Sequence, residues 1–194
     1  MDVLSFLIKV GFWLTSYQEL ISNLLVLFLA IAALHYRKND NKLFIIGVVL
    51  APSVIDTSFI DGYMFSDAVP SYAVYLIYSL YDLVVILLLL YRENIVRLFL
   101  FVSLKLAKFA DSNAPIKQEF IYFRHVNEYK VIIIYVASIA INIIVSAEYP
   151  ARWYINDQLL YCYYLYKPAK LLLNILLVYY MFNLGSTDRI QRSK

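Results

Sequence analysis

Cysteine, histidine and glycine are all scarce in this 194-residue chain, and each shortage excludes a class of site. A single cysteine, Cys162, rules out an intrachain disulfide and any cysteine cluster. Two histidines, His35 and His125, leave little from which to build a metal site of the histidine and cysteine type. Four glycines are too few for a glycine-rich phosphate loop, and no P-loop, H-E-x-x-H or G-x-S-x-G motif occurs. We therefore expect no metal, no cofactor and no enzymatic activity.

Charged residues are also few, at 16% of the chain, whereas hydrophobic residues make up 62%. A soluble domain is closer to half apolar, with about a quarter of its residues charged. The mean hydropathy is +0.67, and no polar stretch is long enough for a separate soluble domain. This composition predicts an all-α fold, namely a polytopic integral membrane bundle of four to five transmembrane helices that forms a single transmembrane domain over residues 1–194.

Five apolar segments are the candidate spans, at residues 20–36, 43–60, 71–91, 131–147 and 159–183. Residues 3–17 are apolar too, and they either lie at the membrane interface or extend a tilted first helix. The AIAA stretch at 30–33 resembles a signal-peptide cleavage site, but the N-terminus is not basic and the apolar region is too long for one. Residues 94–110 mix basic side chains with Leu, Phe and Val, which predicts an interfacial amphipathic helix.

The distribution of Lys and Arg predicts the orientation. Thirteen of the seventeen lie in residues 37–42, 92–130 and 189–194, which alternate with the spans so as to fall on one side. Cytoplasmic segments carry the excess of Lys and Arg, so we expect the N-terminus outside and the C-terminus inside, in a bacterial inner membrane.

Two charges of opposite sign, Asp82 and Lys170, lie at matching depths in the third and fifth segments. Each is eleven residues from the start of its segment, so about 16 Å deep at 1.5 Å of rise per residue. That depth is near the middle of a ~30 Å hydrocarbon core, where a lone charge is costly. The two either form a buried pair that fixes helix packing, or line an ion or proton pathway, or find separate or intersubunit partners.

Four other polar residues fall within apolar segments. Asp56 either reaches the membrane surface or pairs with Lys167, which lies at a similar depth. Asn142 and Asn174 are expected to form hydrogen bonds between helices.

A weak internal repeat appears when each residue is aligned with the one 88 positions later. Lys42 then meets Lys130, Tyr78 meets Tyr166, and Asp82 falls opposite Lys170. The repeat halves would be residues 36–94 and 123–182, related in parallel about an axis along the membrane normal. Apolar spans of similar composition also align by chance, so both interpretations remain open.

The basic segment 92–130 is the candidate contact surface for lipids or a partner, through Arg97, Lys105, Lys108 and Arg124. It equally satisfies the positive-inside rule without any partner. We expect no direct contact with nucleic acid, because no folded basic surface is apparent.

Our leading hypothesis for function is a non-enzymatic small inner-membrane subunit that oligomerises with itself or docks a cytosolic protein. Its composition fits accessory roles such as immunity or phage defence. The alternative is an ion channel or transporter that uses Asp82 and Lys170. An intramembrane enzyme is disfavoured, because no nucleophile–base pair stands out.

Overall fold

The structure, a computed structural model, describes residues 6, 9–10, 13, 17–55, 70–95, 97–98, 126–154 and 161–184. Within these ranges the elements are helices α1 (Gln18–His35), α2 (Asp40–Ile55), α3 (Ser71–Leu90), α4 (Val126–Tyr154) and α5 (Tyr161–Phe182). The described part of the chain contains no strand. The all-helical fold predicted from composition is therefore confirmed for these residues.

A tight turn joins α1 to α2 and explains why the first apolar run ends where it does. The Tyr36 amide donates to the Ala32 carbonyl at 3.0 Å, and the Asn39 amide donates to the Tyr36 carbonyl at 2.8 Å. The Asn39 side chain then accepts a hydrogen bond from the Lys42 amide at 3.1 Å. Asparagine is a favoured N-cap, because its side-chain oxygen satisfies an amide that has no partner within the helix. The turn thus makes α1 and α2 an antiparallel hairpin.

The five helices close into a circuit in which α1 packs on α2, α2 on α3, α3 on α4, α4 on α5 and α5 on α1. Helix α4 runs antiparallel to both α3 and α5. We call the end that bears the 36–39 turn and the start of α4 the basal end. The opposite end, which bears the starts of α3 and α5, is the distal end. This arrangement places the middles of α3 and α5 on either side of the middle of α4.

The apolar core lies in the basal half of the circuit and draws on all five helices. Leu29 of α1, Ile46 of α2, Leu89 of α3, Val131 of α4 and Met181 of α5 are all fully buried within it. Each helix directs apolar side chains inward over this half, so the contacts between their basal portions are close-packed. Van der Waals packing between apolar side chains therefore holds the basal half together.

Among the described residues, two helices are long and apolar enough to cross a membrane, at Tyr72–Leu90 and Asn127–Ala151. The stretch Leu20–His35 is apolar but shorter. Helices α1, α3 and α5 lie close to the predicted segments, whereas α4 begins five residues before the predicted fourth span and extends seven beyond it. Residues 56–60 of the predicted second segment lie outside the described residues. At about 44 Å and 1.5 Å per residue, α4 exceeds a ~30 Å hydrocarbon core. Of the predicted amphipathic helix at 94–110, only residues 94–95 and 97–98 are described, and these are helical.

Candidate functional site

Four side chains from three helices meet near the middle of the bundle: Asp82 of α3, Ser138 and Asn142 of α4, and Lys170 of α5. We call this group the polar centre. The Lys170 ammonium nitrogen lies 3.6 Å from Asp82 Oδ2. The Ser138 hydroxyl donates to the same carboxylate oxygen and accepts a hydrogen bond from Lys170. Asn142 Nδ2 also donates to Asp82 Oδ2, at 3.1 Å. The structure thus brings together the two charges that the sequence placed at equal depth.

Helical spacing explains why α4 supplies two donors to one carboxylate. Ser138 and Asn142 are four residues apart, so they lie on the same face of the helix, one turn above the other. Both are buried against α3. A carboxylate taken out of water needs several donors, because its lone pairs are otherwise left unsatisfied. The polar centre supplies an ammonium, a hydroxyl and an amide to a single carboxylate.

Aromatic rings flank the polar centre on its distal side. The Lys170 ammonium lies 5.6 Å from the centroid of the Tyr166 ring, within range of a cation–π contact. Tyr166 meets Tyr75 edge to face at 5.0 Å between centroids, and Tyr75 stacks on Tyr149 at 5.8 Å. These tyrosines join α3, α4 and α5 directly above the charges. Tyr75 and Tyr166 therefore contribute to packing around the pair as well as to any aromatic belt.

A second ion pair lies at the basal end, where Arg92 follows α3 and Glu128 belongs to the first turn of α4. Arg92 Nη2 is 3.3 Å from Glu128 Oε2, and both side chains are 1% exposed. Arg92 is the first residue of the basic segment 92–130, and its side chain is buried in the bundle. The antiparallel register of α3 and α4 turns both side chains inward, where each charge offsets the burial cost of the other.

Two further contacts join the helices at the distal end. The Ser146 hydroxyl of α4 donates to the Tyr72 carbonyl of α3 at 2.9 Å. The Cys162 amide, in the first turn of α5, donates to Glu148 Oε1 of α4 at 3.0 Å. Such an amide has no intrahelical acceptor, and a carboxylate at a helix N-terminus also interacts favourably with the helix dipole. Glu148, which the sequence did not single out, thus caps α5.

Three other residues predicted from sequence lie within the described part of the chain. Lys167 and Asn174 lie half-buried on α5, and Arg97 forms an exposed ion pair with Glu93 one turn away. The remaining predicted residues lie outside the described part of the chain: Asp56, Lys105, Lys108 and Arg124. The proposed pairing of Asp56 with Lys167 therefore remains a prediction.

Sequence reasoning missed Ser138 and the Arg92–Glu128 pair. A signal for Ser138 was present, because it precedes Asn142 by one helical turn within an otherwise apolar stretch. No comparable signal marked Arg92 or Glu128. Each flanks an apolar segment, as ordinary surface charges do, and only the packing of α3 on α4 shows that they are buried.

Among the described residues, no group of three or more His, Cys, Asp or Glu side chains is placed to hold a metal ion. Comparison of the chain with protein-family models, with curated proteins and with solved structures finds no match. The polar centre therefore has to be interpreted from its own chemistry.

Proposed function

We propose that the chain is an integral membrane protein whose five helices all span the bilayer. The supporting observation is the low burial of the two candidate membrane spans found in the described residues. Only 33% of the candidate span in α3 and 44% of that in α4 is buried inside the bundle. A core helix of a soluble protein of the same composition would be mostly buried, because exposed apolar surface of this extent is avoided in water.

The placement of polar groups supports the same proposal. Asp82, Ser138 and Asn142 face inward, whereas large apolar side chains on the same helices face outward. Polar side chains within a hydrocarbon core are expected to face the bundle interior and to pair with one another. The exposed apolar side chains on α3, α4 and α5 include Leu80, Val84, Leu87, Ile133, Val136, Ile143, Ile144, Leu172 and Ile175.

Helices α1, α2 and α5 are proposed as spans because they complete the circuit around α3 and α4. Five spans place the two termini on opposite sides. The basal end carries Arg37, Lys38 and Lys130, which supports a cytoplasmic basal end in a bacterial inner membrane. The amphipathic helix at 94–110 would then lie on the cytoplasmic surface.

Topology is tested with a reporter that is active only in the cytoplasm, in cells where the protein resists carbonate extraction. Fusion after Lys194 should give activity, and fusion after Asp67 should give none. Activity at Asp67 would contradict the five-span arrangement. Complete extraction by carbonate would contradict membrane insertion altogether.

We propose further that the protein is a non-enzymatic subunit that acts by self-association or by docking a cytosolic protein, with immunity or phage defence as the proposed setting. The polar centre supports this proposal, because Asp82 receives hydrogen bonds from Ser138 and Asn142 and lies beside the Lys170 ammonium. A carboxylate held by three groups within the fold is suited to fastening helices together. The contact with a partner would then fall to other surfaces, of which segment 92–130 is the proposed one.

That surface is tested by reversing charges. The R97E/K105E/K108E variant should still insert but lose binding to vesicles that contain anionic lipid, because each basic residue near such a surface is worth ~1 kcal/mol. A variant with three neutral substitutions elsewhere on the exposed surface serves as the control. If the variant binds lipid as the parent does and keeps the same oligomeric state, the basic segment only determines the orientation of the protein in the membrane.

An ion channel or transporter is the second candidate, and one feature of the polar centre favours it. The side chains of Asp82 and Lys170 are 13% and 22% exposed in the bundle, so the polar centre is not completely sealed. Flux across liposomes separates the two candidates. The channel is favoured if the parent protein conducts ions and the D82L/K170M variant does not. The subunit is favoured if the parent protein is folded but shows no ion flux.

A further inference from the structure

Buried polar side chains are distributed unevenly along α4. From the middle of the helix towards the distal end, four buried side chains are polar, namely Ser138, Asn142, Ser146 and Glu148, and Val145 is buried among them. From the middle towards the basal end, the buried side chains are first Tyr135, Ile134 and Val131, and then Glu128 and Asn127 in the first turn. A layer of buried, mainly apolar side chains therefore separates the polar centre from the Arg92–Glu128 pair at the basal end.

Asn142 lies in the polar centre, and the carboxylate fixes the orientation of its amide. A carboxylate only accepts hydrogen bonds, so the Asn142 amide must present its Nδ2 group to Asp82. The other atom of the amide, Oδ1, is buried and has no hydrogen-bond partner among the described residues. The Asn142 side chain as a whole is fully buried. Buried acceptors in folded proteins are nearly always satisfied by a protein group or by an ordered water molecule.

The hydroxyl groups above Asn142 retain the capacity to bind water. Ser146 donates to the Tyr72 carbonyl, and Ser79 of α3 donates to the Tyr75 carbonyl at 3.0 Å. Each hydroxyl oxygen still carries lone pairs that can accept a hydrogen bond. These contacts alone would suit ordinary helix packing. The independent observation that points to a ligand is Asn142 Oδ1, which has no hydrogen-bond partner in the part of the chain that the structure describes.

We propose that the polar centre is a hydrated site that water and small inorganic cations reach from the distal end only, with Asn142 Oδ1 as a ligand for the bound water. The proposal rests on the membrane-spanning bundle proposed above. Access of water ends at the polar centre because the next buried side chains of α4 towards the basal end are Tyr135, Ile134 and Val131. Of these three, only Tyr135 carries a group that can form a hydrogen bond, namely its hydroxyl. The Asp82–Lys170 pair would thus be in contact with one side of the membrane.

Three positions on α4 with nearly equal exposure provide the test: Ser138 at 6%, Ser146 at 7% and Ile134 at 6%. Because Cys162 is the only cysteine, a C162S parent allows each position to carry a single thiol. The S146C, S138C and I134C variants are placed in lipid nanodiscs and exposed to Ag⁺ in nitrate buffer. Free thiols that remain are then labelled with a maleimide after denaturation.

We expect Ag⁺ to block the thiols of S146C and S138C at least tenfold faster than the thiol of I134C. Equal rates at all three positions would overturn the proposal, as would a slow reaction of S138C beside a fast reaction of S146C. If S138C fails to assemble, the comparison of S146C with I134C still decides whether access is one-sided. Membrane insertion is measured separately by carbonate extraction, so failure of the bundle proposal is distinguishable from failure of the hydrated site.

Discussion

The Asp82–Lys170 pair should show strong energetic coupling in a double-mutant cycle. At 3.6 Å, two unit charges attract by about 5 kcal/mol at an effective dielectric constant of 20. Removing one partner of a buried pair typically costs 3–5 kcal/mol, because the remaining charge is left uncompensated. Since both side chains are partly exposed, we expect the lower value, about 3 kcal/mol, for D82L and for K170M.

The double variant D82L/K170M should be much less damaging than either single variant. It leaves no buried charge, and replacement of a whole ion pair by apolar residues of similar volume is often neutral or stabilising. We expect its loss of stability to stay within about 1 kcal/mol, which implies a coupling energy of several kcal/mol. The charge-swapped variant D82K/K170D should recover part of the loss of the single variants.

Stability is measured by titrating the purified protein with sodium dodecyl sulfate and following the reaction of Cys162 with a maleimide. Cys162 is half-buried near the start of α5, so unfolding should expose it further. Single variants as stable as the parent, or losses that simply add in the double variant, would refute a stabilising pair. A double variant that folds but loses ion flux would instead assign Asp82 and Lys170 to a pathway.

Two other contacts carry predictions. R92M should lower the free energy of unfolding by about 3 kcal/mol or more, because it removes the cation paired with the fully buried Glu128 carboxylate. R97M should lower it by at most ~0.5 kcal/mol, because the Arg97–Glu93 ion pair is exposed. Equal effects of the two variants in a detergent unfolding titration would contradict a buried Arg92–Glu128 pair. Y81F removes the 2.9 Å hydrogen bond from the Tyr81 hydroxyl to the Pro52 carbonyl. It should therefore lower the free energy of unfolding by ~0.6 kcal/mol. If a Tyr→Phe change at an exposed tyrosine has the same effect, this hydrogen bond does not stabilise the packing of α2 on α3.

The positions of the helices were largely predictable from the apolar runs, and two helices also begin at a recognisable signal. Pro70 precedes α3, and its fixed backbone dihedral suits the position before a helix, while Asn39 caps α2. The start of α4 was less predictable. Its first five residues include Asn127, Glu128 and Lys130, which resemble a polar connection when hydropathy alone is considered. These residues are helical because Asn127 and Glu128 are buried by tertiary contacts at the basal end.

The polar centre was predictable in part, for a physical reason. Depth follows from counting residues along a helix, so Asp82 and Lys170 could be assigned the same level. Their separation depends on which helices are neighbours and how each is rotated, and neither follows from depth. The same limitation concealed Arg92 and Glu128, since a charge at the end of an apolar segment has the same sequence pattern whether it faces solvent or the interior. The role of the Asp82–Lys170 pair and the internal repeat both remain predictions.

The polar contacts between α3 and α4 occur at three levels, and their arrangement bears on how the bundle keeps its register. Tyr72 meets Ser146 at the distal end, Asp82 meets Ser138 in the middle, and Arg92 meets Glu128 at the basal end.

Lipid tails are as apolar as leucine side chains, so polar contacts add to van der Waals packing in fixing the register between two helices in a bilayer. A shift of one turn between α3 and α4 would break all three contacts together and leave the charges of Arg92 and Glu128 apart in the interior. Because two of these contacts survive in D82L/K170M, that variant should retain its register. The mild effect expected of it therefore depends on Arg92 and Glu128, and combining D82L/K170M with R92M should cost more than the two changes cost separately.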